Sequence, residues 1–209
     1  SGDGFCAQAS GQSRQMTVII DSTGRSYSLL AHSLPSARSH GEPLTGRLNP
    51  PAGSSFTQMV MGPATDKYLL ASSAGFGFIT QLENLYSKNK AGKSTITLPK
   101  GSEVLTPKLV ANSHWVMVVT SEPRMLVFNI DELPELAKGK GNKLIQLPKG
   151  ETVRAIHCFN EGVKVIVEAG KYQKVFGPTA IEEAFASRAK KGIVLPRTLK
   201  KTTAIFTEE

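Results

Sequence analysis

The sequence lacks any long apolar run, since no stretch approaches the roughly 18 consecutive apolar residues that a membrane-spanning helix needs. Its first residues carry neither the basic segment nor the apolar segment of a secretory signal peptide. We therefore expect no membrane partner and a cytoplasmic location. Apolar residues make up 40% of the chain, which is enough to bury a substantial core.

Cysteine and histidine are scarce, with two cysteines and four histidines among 209 residues. Cys6 and Cys158 stand alone, which is typical of buried thiols in a reducing compartment and not of a disulfide framework. The histidines show no metal-ligand spacing, and no G-x-S-x-G, H-E-x-x-H or glycine-rich dinucleotide motif occurs. We therefore predict no catalytic residue, no metal site and no cofactor, so that the chain is not an enzyme on its own.

One short segment, Ala91-Gly92-Lys93-Ser94, resembles the end of a phosphate-binding loop. Such a loop also needs an earlier glycine and a following helix, but Ser87 occupies the glycine position and a strand pattern follows. We therefore expect no nucleotide site at this segment.

Aromatic residues are few, at 7%, and they do not alternate with basic residues as in a platform that stacks single-stranded nucleic acid. Acidic residues are outnumbered, because 25 Lys and Arg stand against 17 Asp and Glu, a formal charge of +8. Such an excess favours polyanions, with duplex nucleic acid first and an acidic membrane surface second. A soluble protein with a charged coat remains the plainer interpretation of the charge alone.

The feature that organises the chain is an internal repeat of about 50 residues, a length typical of propellers and arrays. One glycine follows a basic cluster in each copy, at Gly41, Gly92, Gly141 and Gly192, with spacings of 51, 49 and 51 residues. A Leu-Pro pair follows each of the last three glycines, at Leu98-Pro99, Leu147-Pro148 and Leu195-Pro196.

Short runs rich in β-branched residues, flanked by Gly, Pro and Ser, predict strands at 16–20, 68–71, 115–119 and 163–167. Helical character is confined to residues 180–191 and, more weakly, 131–137. Several strands in each 50-residue unit predict an all-β array of four-stranded, propeller-like blades. The pattern leaves open whether the blades close into a ring.

We expect one domain, residues 1–201. Its first 20 residues would belong to a preceding blade, and the repeats would cover about 21–71, 72–119, 120–167 and 168–201. Residues 202–209 are predicted to form a loose C-terminal tail.

Basic residues concentrate in four windows around the repeat glycines, residues 38–47, 88–93, 138–143 and 188–193. The windows hold 11 of the 25 basic residues and only one acid, Glu42. The basic residues are Arg38, Arg47, Lys88, Lys90, Lys93, Lys138, Lys140, Lys143, Arg188, Lys190 and Lys191. Because the windows share one place in the repeat, we expect them on one rim, where they would bind double-stranded DNA and favour a bend. The alternative is that these are solvated loops whose lysines keep blade edges from pairing.

Several segments resemble the ParC polypeptide of bacterial topoisomerase IV, which is the A subunit of that enzyme. They are Asp21-Ser-Thr-Gly-Arg-Ser-Tyr27, Leu34-Pro-Ser-Ala-Arg38, Gly41-Glu-Pro-Leu-Thr-Gly46, Ile96-Thr-Leu-Pro99, Arg124-Met-Leu126 and Leu136-Ala-Lys-Gly-Lys-Gly-Asn-Lys143. The resemblance implies a β-pinwheel, a propeller variant whose blades exchange strands, that binds bent duplex beside the cleavage core. It implies the rest of ParC and the enzyme's B subunit as partners, a nucleoid location, and ATP and Mg²⁺ bound elsewhere in the enzyme. The basic box Q-R-R-G-G-K-G of the gyrase A subunit is absent, which favours the decatenase.

Two functions follow as hypotheses. The first is a non-catalytic domain of a type IIA topoisomerase that binds and bends duplex DNA and guides segments for decatenation and supercoil relaxation. The second is a propeller-like scaffold that docks a chromosome-organising protein.

Overall fold

The structure, a computed structural model, describes residues 15–30 and 48–209. The strands of this part of the chain are β1 (Met16–Asp21), β2 (Arg25–Leu30), β3 (Phe56–Met61), β4 (Lys67–Ala71), β5 (Phe76–Gln81), β6 (Lys93–Ser94), β7 (Lys108–Leu109), β8 (Trp115–Thr120), β9 (Arg124–Asn129), β10 (Asn142–Lys143), β11 (Val153–Phe159), β12 (Val165–Ala169), β13 (Tyr172–Phe176), β14 (Ile193–Val194) and β15 (Ala204–Thr207). One short α-helix, α1 (Pro178–Glu182), follows β13. No helix in the described ranges is long and apolar enough to cross a membrane.

The strands form four antiparallel sheets, which we call blades A to D. In spatial order, blade A is β3-β1-β2-β6, blade B is β7-β4-β5-β10, blade C is β11-β8-β9-β14 and blade D is β15-β12-β13. Each blade is built on a hairpin of two consecutive strands, which explains the alternation of strand runs and turn residues in the sequence. The prediction of an all-β array of blades is confirmed.

The turn of the first hairpin shows how local sequence fixes a blade. Gly24 has a φ of 89°, and a Cβ at this position would collide with the backbone carbonyl of Ile96. The buried carboxylate of Asp21 accepts hydrogen bonds from the backbone N–H of Thr23 at 2.8 Å and from the Tyr27 hydroxyl at 2.6 Å. The turn is therefore closed by Asp21 and packed against a later copy of the repeat.

The fourth strand of blades A, B and C comes from the next copy of the repeat. β6 follows the hairpin of blade B but pairs with β2 of blade A, where Ser94 lies opposite Arg25. β10 pairs in the same way with β5, and β14 pairs with β9. This exchange of strands, which the family resemblance implied, joins each blade to the next one.

Three of the four core clusters in the described residues are layers between two adjacent blades, and the fourth, around Ile19 and Tyr27, lies beside blade A. Val18 of blade A packs with Phe78 of blade B, and Leu69 of blade B packs with Val118 of blade C. The third layer joins blade C to blade D, where Met117 meets residues such as Val167 and Ile205. Neighbouring residues of one strand thus face different blades. The central strands of blade C, β8 and β9, are apolar over most of their length because both of their faces are buried.

The prediction of a loose tail at 202–209 is wrong. β15 lies in this segment and pairs with β12 along four residues, and Ile205 is fully buried. The segment supplies the third strand of blade D, which is the place that β3, β7 and β11 take in the other blades. The predicted boundary at residue 20 also fails, because β1 runs across it and forms a hairpin with β2.

The predicted helix at 180–191 is confirmed only at its start. α1 ends at Glu182, and the following residues run beside β9. There the Val127 N–H donates to the Ala184 carbonyl at 2.9 Å, and the Ala186 N–H donates to the Val127 carbonyl at 3.0 Å. Pairing with a buried strand overrides the helical preference of this alanine-rich segment. The weaker helical segment at 131–137 contains only the end of a 3-10 turn, Ile130–Glu132.

Ile205→Ala should lower the free energy of unfolding by about 2–4 kcal/mol, because it leaves a cavity in the layer between blades C and D. Val194→Ala is the matched control, since Val194 is 81% exposed on β14 and its truncation should change stability by less than about 0.5 kcal/mol. Urea unfolding measures both. An Ile205→Ala variant as stable as the parent would mean that residues 202–209 do not belong to the folded domain.

Acid should destabilise the domain through His157 in β11. Burial, aided by the nearby charge of Lys108, lowers the pKa of His157 to about 4, whereas an unfolded imidazole titrates near 6.5. The neutral ring is favoured in the fold, so this stabilisation is complete above about pH 6.5 and is lost as the pH falls toward 4. The loss is on the order of 3 kcal/mol at most.

The measurement is urea unfolding at pH 7 and pH 4.5. His157→Gln should lose less stability between the two pH values than the parent. His114→Gln, which changes an exposed histidine, should behave as the parent does. Equal acid sensitivity in the parent and in His157→Gln would contradict this assignment.

Candidate nucleic-acid interface

The last three windows predicted from the repeat are the turns that lead into the exchanged strands. Lys93 opens β6, Lys143 ends β10, and the last window runs directly into β14. The first window, residues 38–47, lies outside the described residues together with its two basic residues, Arg38 and Arg47. The Gly-Lys-Ser segment at 92–94 contains the strand β6 and no helix directly follows it, in agreement with its repeat context.

The second and third windows lie side by side. The Gly139 N–H donates to the Thr95 carbonyl at 2.9 Å, and the Thr97 N–H donates to the Gly139 carbonyl at 2.9 Å. Partial burial lowers the pKa of Lys93, and the neighbouring charge of Lys138 lowers it further. The positive charges of Lys93 and Lys138 therefore repel each other, although the two residues lie 45 positions apart in the chain.

The third and fourth windows are also in direct contact. The Arg188 guanidinium donates to the Lys143 carbonyl at 2.6 Å. Just beyond, the Ala189 N–H donates to the Leu144 carbonyl at 3.0 Å, and the Gln146 N–H donates to the Lys190 carbonyl at 3.0 Å. Three windows from distant parts of the sequence thus form one continuous surface. We call this surface the basic edge; its basic residues are Lys88, Lys90, Lys93, Lys138, Lys140, Lys143, Arg188, Lys190 and Lys191.

The basic edge follows one side of the blades. In blades A, B and C the exchanged strands occupy one edge of the sheet, and β3, β7 and β11 occupy the opposite edge. At that opposite edge, the Lys108 ammonium donates to the Ile205 carbonyl at 3.3 Å beside a cavity of about 140 Å³. The basic turns thus lie at the edge formed by the exchanged strands, whereas at the opposite edge Lys108 is hydrogen-bonded to a neighbouring strand.

The side chains of the basic edge differ in their exposure to solvent and in their hydrogen-bond partners. Seven lysines are exposed, namely Lys88, Lys90, Lys138, Lys140, Lys143, Lys190 and Lys191. Lys140 lies over the ring of Phe76, with its ammonium 4.3 Å from the ring centroid. Arg188 is partly buried and committed to the Lys143 carbonyl, so its main contribution is to join two windows. None of the nine forms a salt bridge with a described residue.

The chemistry of this surface is that of phosphate contact. Exposed ammonium groups without a carboxylate partner can neutralise phosphates, and such contacts carry no sequence information. No three His, Cys, Asp or Glu side chains of residues 15–30 and 48–209 lie close enough together to hold a metal ion. Cys158 is no candidate nucleophile, because burial raises the pKa of its thiol to about 12.

Comparison with known proteins agrees with this architecture. A sequence profile of the family described as DNA gyrase C-terminal domain, beta-propeller, matches residues 66–111 and 114–160. The chain is 42% identical to the A subunit of DNA topoisomerase 4 from Pseudomonas aeruginosa and 43% identical to that from Haemophilus influenzae. Both alignments cover the whole chain, which spans only 29% of the length of these relatives.

A solved structure decides the family. The chain matches the ParC C-terminal domain of Escherichia coli with a TM-score of 0.84 and 33% identity, over 94% of this chain and 82% of that one. The chain belongs to the ParC C-terminal domain family. The resemblance drawn from the sequence is thereby confirmed, as is the β-pinwheel, since a ParC C-terminal domain shares the arrangement of the blades.

Two arginines of this ParC-type domain escaped prediction from the sequence. Arg25 and Arg124 lie beneath the basic edge, where their guanidinium groups donate to the backbone carbonyls of Gly92 and Lys191 at 2.9 and 2.7 Å. Neither belongs to a basic window. In the sequence, both stand in segments that carry the family resemblance and directly after a hairpin turn, but neither signal pointed to the basic windows.

Proposed function

We propose that this domain is a non-catalytic DNA-binding and bending domain of a type IIA topoisomerase, the ParC polypeptide of topoisomerase IV. At the bacterial nucleoid it would act with the rest of ParC and with the enzyme's B subunit. Its task would be to guide duplex segments for decatenation and supercoil relaxation. The basic edge is the observation that carries this proposal.

Electrostatics favours duplex DNA as the ligand of the basic edge. B-DNA carries one negative charge per about 1.7 Å of its axis, and each neutralised phosphate releases counterions. Seven exposed lysines on three adjoining turns offer a row of such contacts. Because the contacts belong to flexible side chains on turns, the binding should tolerate any base sequence.

Bending follows if the duplex tracks the windows from blade to blade. Bending a site of 20–30 base pairs by 40–90° costs on the order of 1–6 kcal/mol, which contacts along the arc must offset. The lysines are distributed over separate windows, and the anchoring box of the gyrase A subunit is absent. We therefore expect the domain to guide or bend DNA and to wrap it only weakly.

One observation favours the second candidate function, a scaffold for another chromosome protein. In blade D no described strand occupies the edge of β13 that β6, β10 and β14 fill in the other blades. Tyr172 and Val175 of this strand are 58% and 47% exposed. An exposed edge of this kind suits the addition of a strand from a partner. Absence of duplex binding at low salt would favour this function over the first.

Lys138→Ala combined with Lys140→Ala should weaken duplex binding and make it less sensitive to salt. If about 5 phosphates are neutralised, log K falls with log salt at a slope of about −4 to −5, and the double variant should reduce this slope by about 2. Fluorescence anisotropy with a mixed-sequence duplex at several salt concentrations measures both quantities.

The matched control is Lys67→Ala combined with Lys164→Ala, which removes two exposed lysines outside the windows. This variant should change the slope by less than about 1. An equal effect of the two double variants would mean that net charge, and not the basic edge, governs binding.

Closed circular DNA relaxed in the presence of the domain distinguishes guiding from wrapping. We expect only a small change in linking number per bound domain, because the contacts are spread over three turns with no terminal anchor. A large change of fixed sign, as a tight wrap would produce, would overturn the weak-wrap part of the proposal while leaving DNA binding intact.

A further inference from the structure

We propose that Arg25 and Arg124 are positioning residues of the DNA interface, each fixing the next basic turn against its blade while leaving the phosphate contacts to the lysines. The inference rests on the proposed DNA-binding function. It goes beyond that function by assigning a role to two residues that belong to no basic window.

The two arginines hold equivalent places in the fold. Each is the first residue of the second strand of its hairpin, Arg25 in β2 and Arg124 in β9. The guanidinium of Arg25 donates to the carbonyls of Ala91 and Gly92 at 3.0 and 2.9 Å. The guanidinium of Arg124 donates to the carbonyl of Lys191 at 2.7 Å. Each arginine thus donates hydrogen bonds to backbone carbonyls that lie one or two residues before the start of an exchanged strand.

Arg124 has further contacts that fix the position of its guanidinium. It donates to the Gln146 carbonyl at 3.0 Å and forms a salt bridge with Glu151 at 2.8 Å, in which both side chains are largely buried. Thr120 donates to the same carboxylate at 2.6 Å. Burial alone would raise the pKa of Glu151, but the hydrogen bonds from Arg124 and Thr120 hold it below its usual value. The carboxylate therefore stays charged and orients the arginine.

The exchanged strands need such support because they are very short. β6 and β14 each contain two residues and pair with the neighbouring strand over two positions. A two-residue ladder contributes few hydrogen bonds, so the preceding turn depends on other contacts to keep one conformation. The planar fork of a guanidinium can reach several carbonyls at once, which a lysine ammonium on its flexible stem cannot match.

Blade B shows the same position filled in another way. Phe76 begins β5, and the ammonium of Lys140 from the next basic turn lies 4.3 Å from its ring centroid. The first residue of the strand thus contacts the basic turn in blades A, B and C, through two arginines and one phenylalanine. In blade D the corresponding residue is Tyr172, which is 58% exposed.

Loss of an arginine's contacts with its turn should lower the affinity for DNA without removing a phosphate contact. The Arg124 side chain is only 12% exposed, so it is not available to a phosphate. If its turn loses order, Lys190 and Lys191 keep their charges but must be ordered again when DNA binds. The affinity then falls while the salt slope stays nearly constant.

The test uses Arg124→Lys in the 209-residue chain, with duplex anisotropy and amide hydrogen exchange as readouts. We expect the affinity to fall about 3- to 10-fold with a change in salt slope below about 0.5. We also expect loss of protection at the Leu195 amide, which donates to the Pro123 carbonyl at 2.8 Å. Lys190→Ala combined with Lys191→Ala should show the opposite signature, with protection kept and the slope reduced by about 2.

The matched control is Arg154→Lys, because Arg154 also donates to a backbone carbonyl, that of Thr202 at 3.0 Å, but it does so from β11 at the opposite edge. We expect its DNA affinity to match that of the parent. If Arg124→Lys does not fold, Arg25→Lys tests the same role on the turn at 88–93, because Arg25 forms no salt bridge with a described residue.

The outcomes separate the two proposals. Unchanged affinity and protection in both arginine variants would overturn the positioning role and leave DNA binding standing. Lost protection with unchanged affinity would overturn it as well, because order in the turn would not matter for binding. A parent chain that fails to bind duplex at low salt would instead overturn the proposed function itself.

Discussion

The structure depends on the transfer of a two-residue strand from each repeat to the blade before it. This transfer places the turn at the edge of a sheet whose other strands come from the preceding repeat, so the turn is connected to two blades. The same turns carry the basic residues. Register between repeats therefore fixes the spacing between charges, and the basic edge is a direct product of how the blades are joined.

Burial on both faces is the second constraint in blade C, and it explains the apolar sequence of β8 and β9. In β8, Val116 and Val118 face blade B, while Met117 and Val119 face blade D. A substitution on either face disturbs a layer shared by two blades. The basic edge is thus connected to the layers beside it, and the largely buried Arg124–Glu151 pair is one of the contacts that link them.

The sequence predicted the blades and the grouping of the windows because a repeat puts equivalent residues in equivalent places. The same reasoning missed β15, since residues 204–207 are a short apolar run with no landmark after them. It assigned too much helix after residue 180, because pairing with β9 decides that conformation and propensity does not. Arg25 and Arg124 gave no signal of charge clustering, and only the hydrogen bonds of the folded chain reveal their position.

The central claim is that duplex DNA lies along the basic edge, and lysine modification with mass spectrometry tests it most directly. The domain is acetylated at low reagent concentration with and without a short duplex, and the reactivity of each lysine is compared. The account predicts that DNA protects Lys88, Lys90, Lys138, Lys140, Lys143, Lys190 and Lys191, while Lys67, Lys164 and Lys200 remain reactive. Protection confined to the latter group, or equal protection of all lysines, would contradict it.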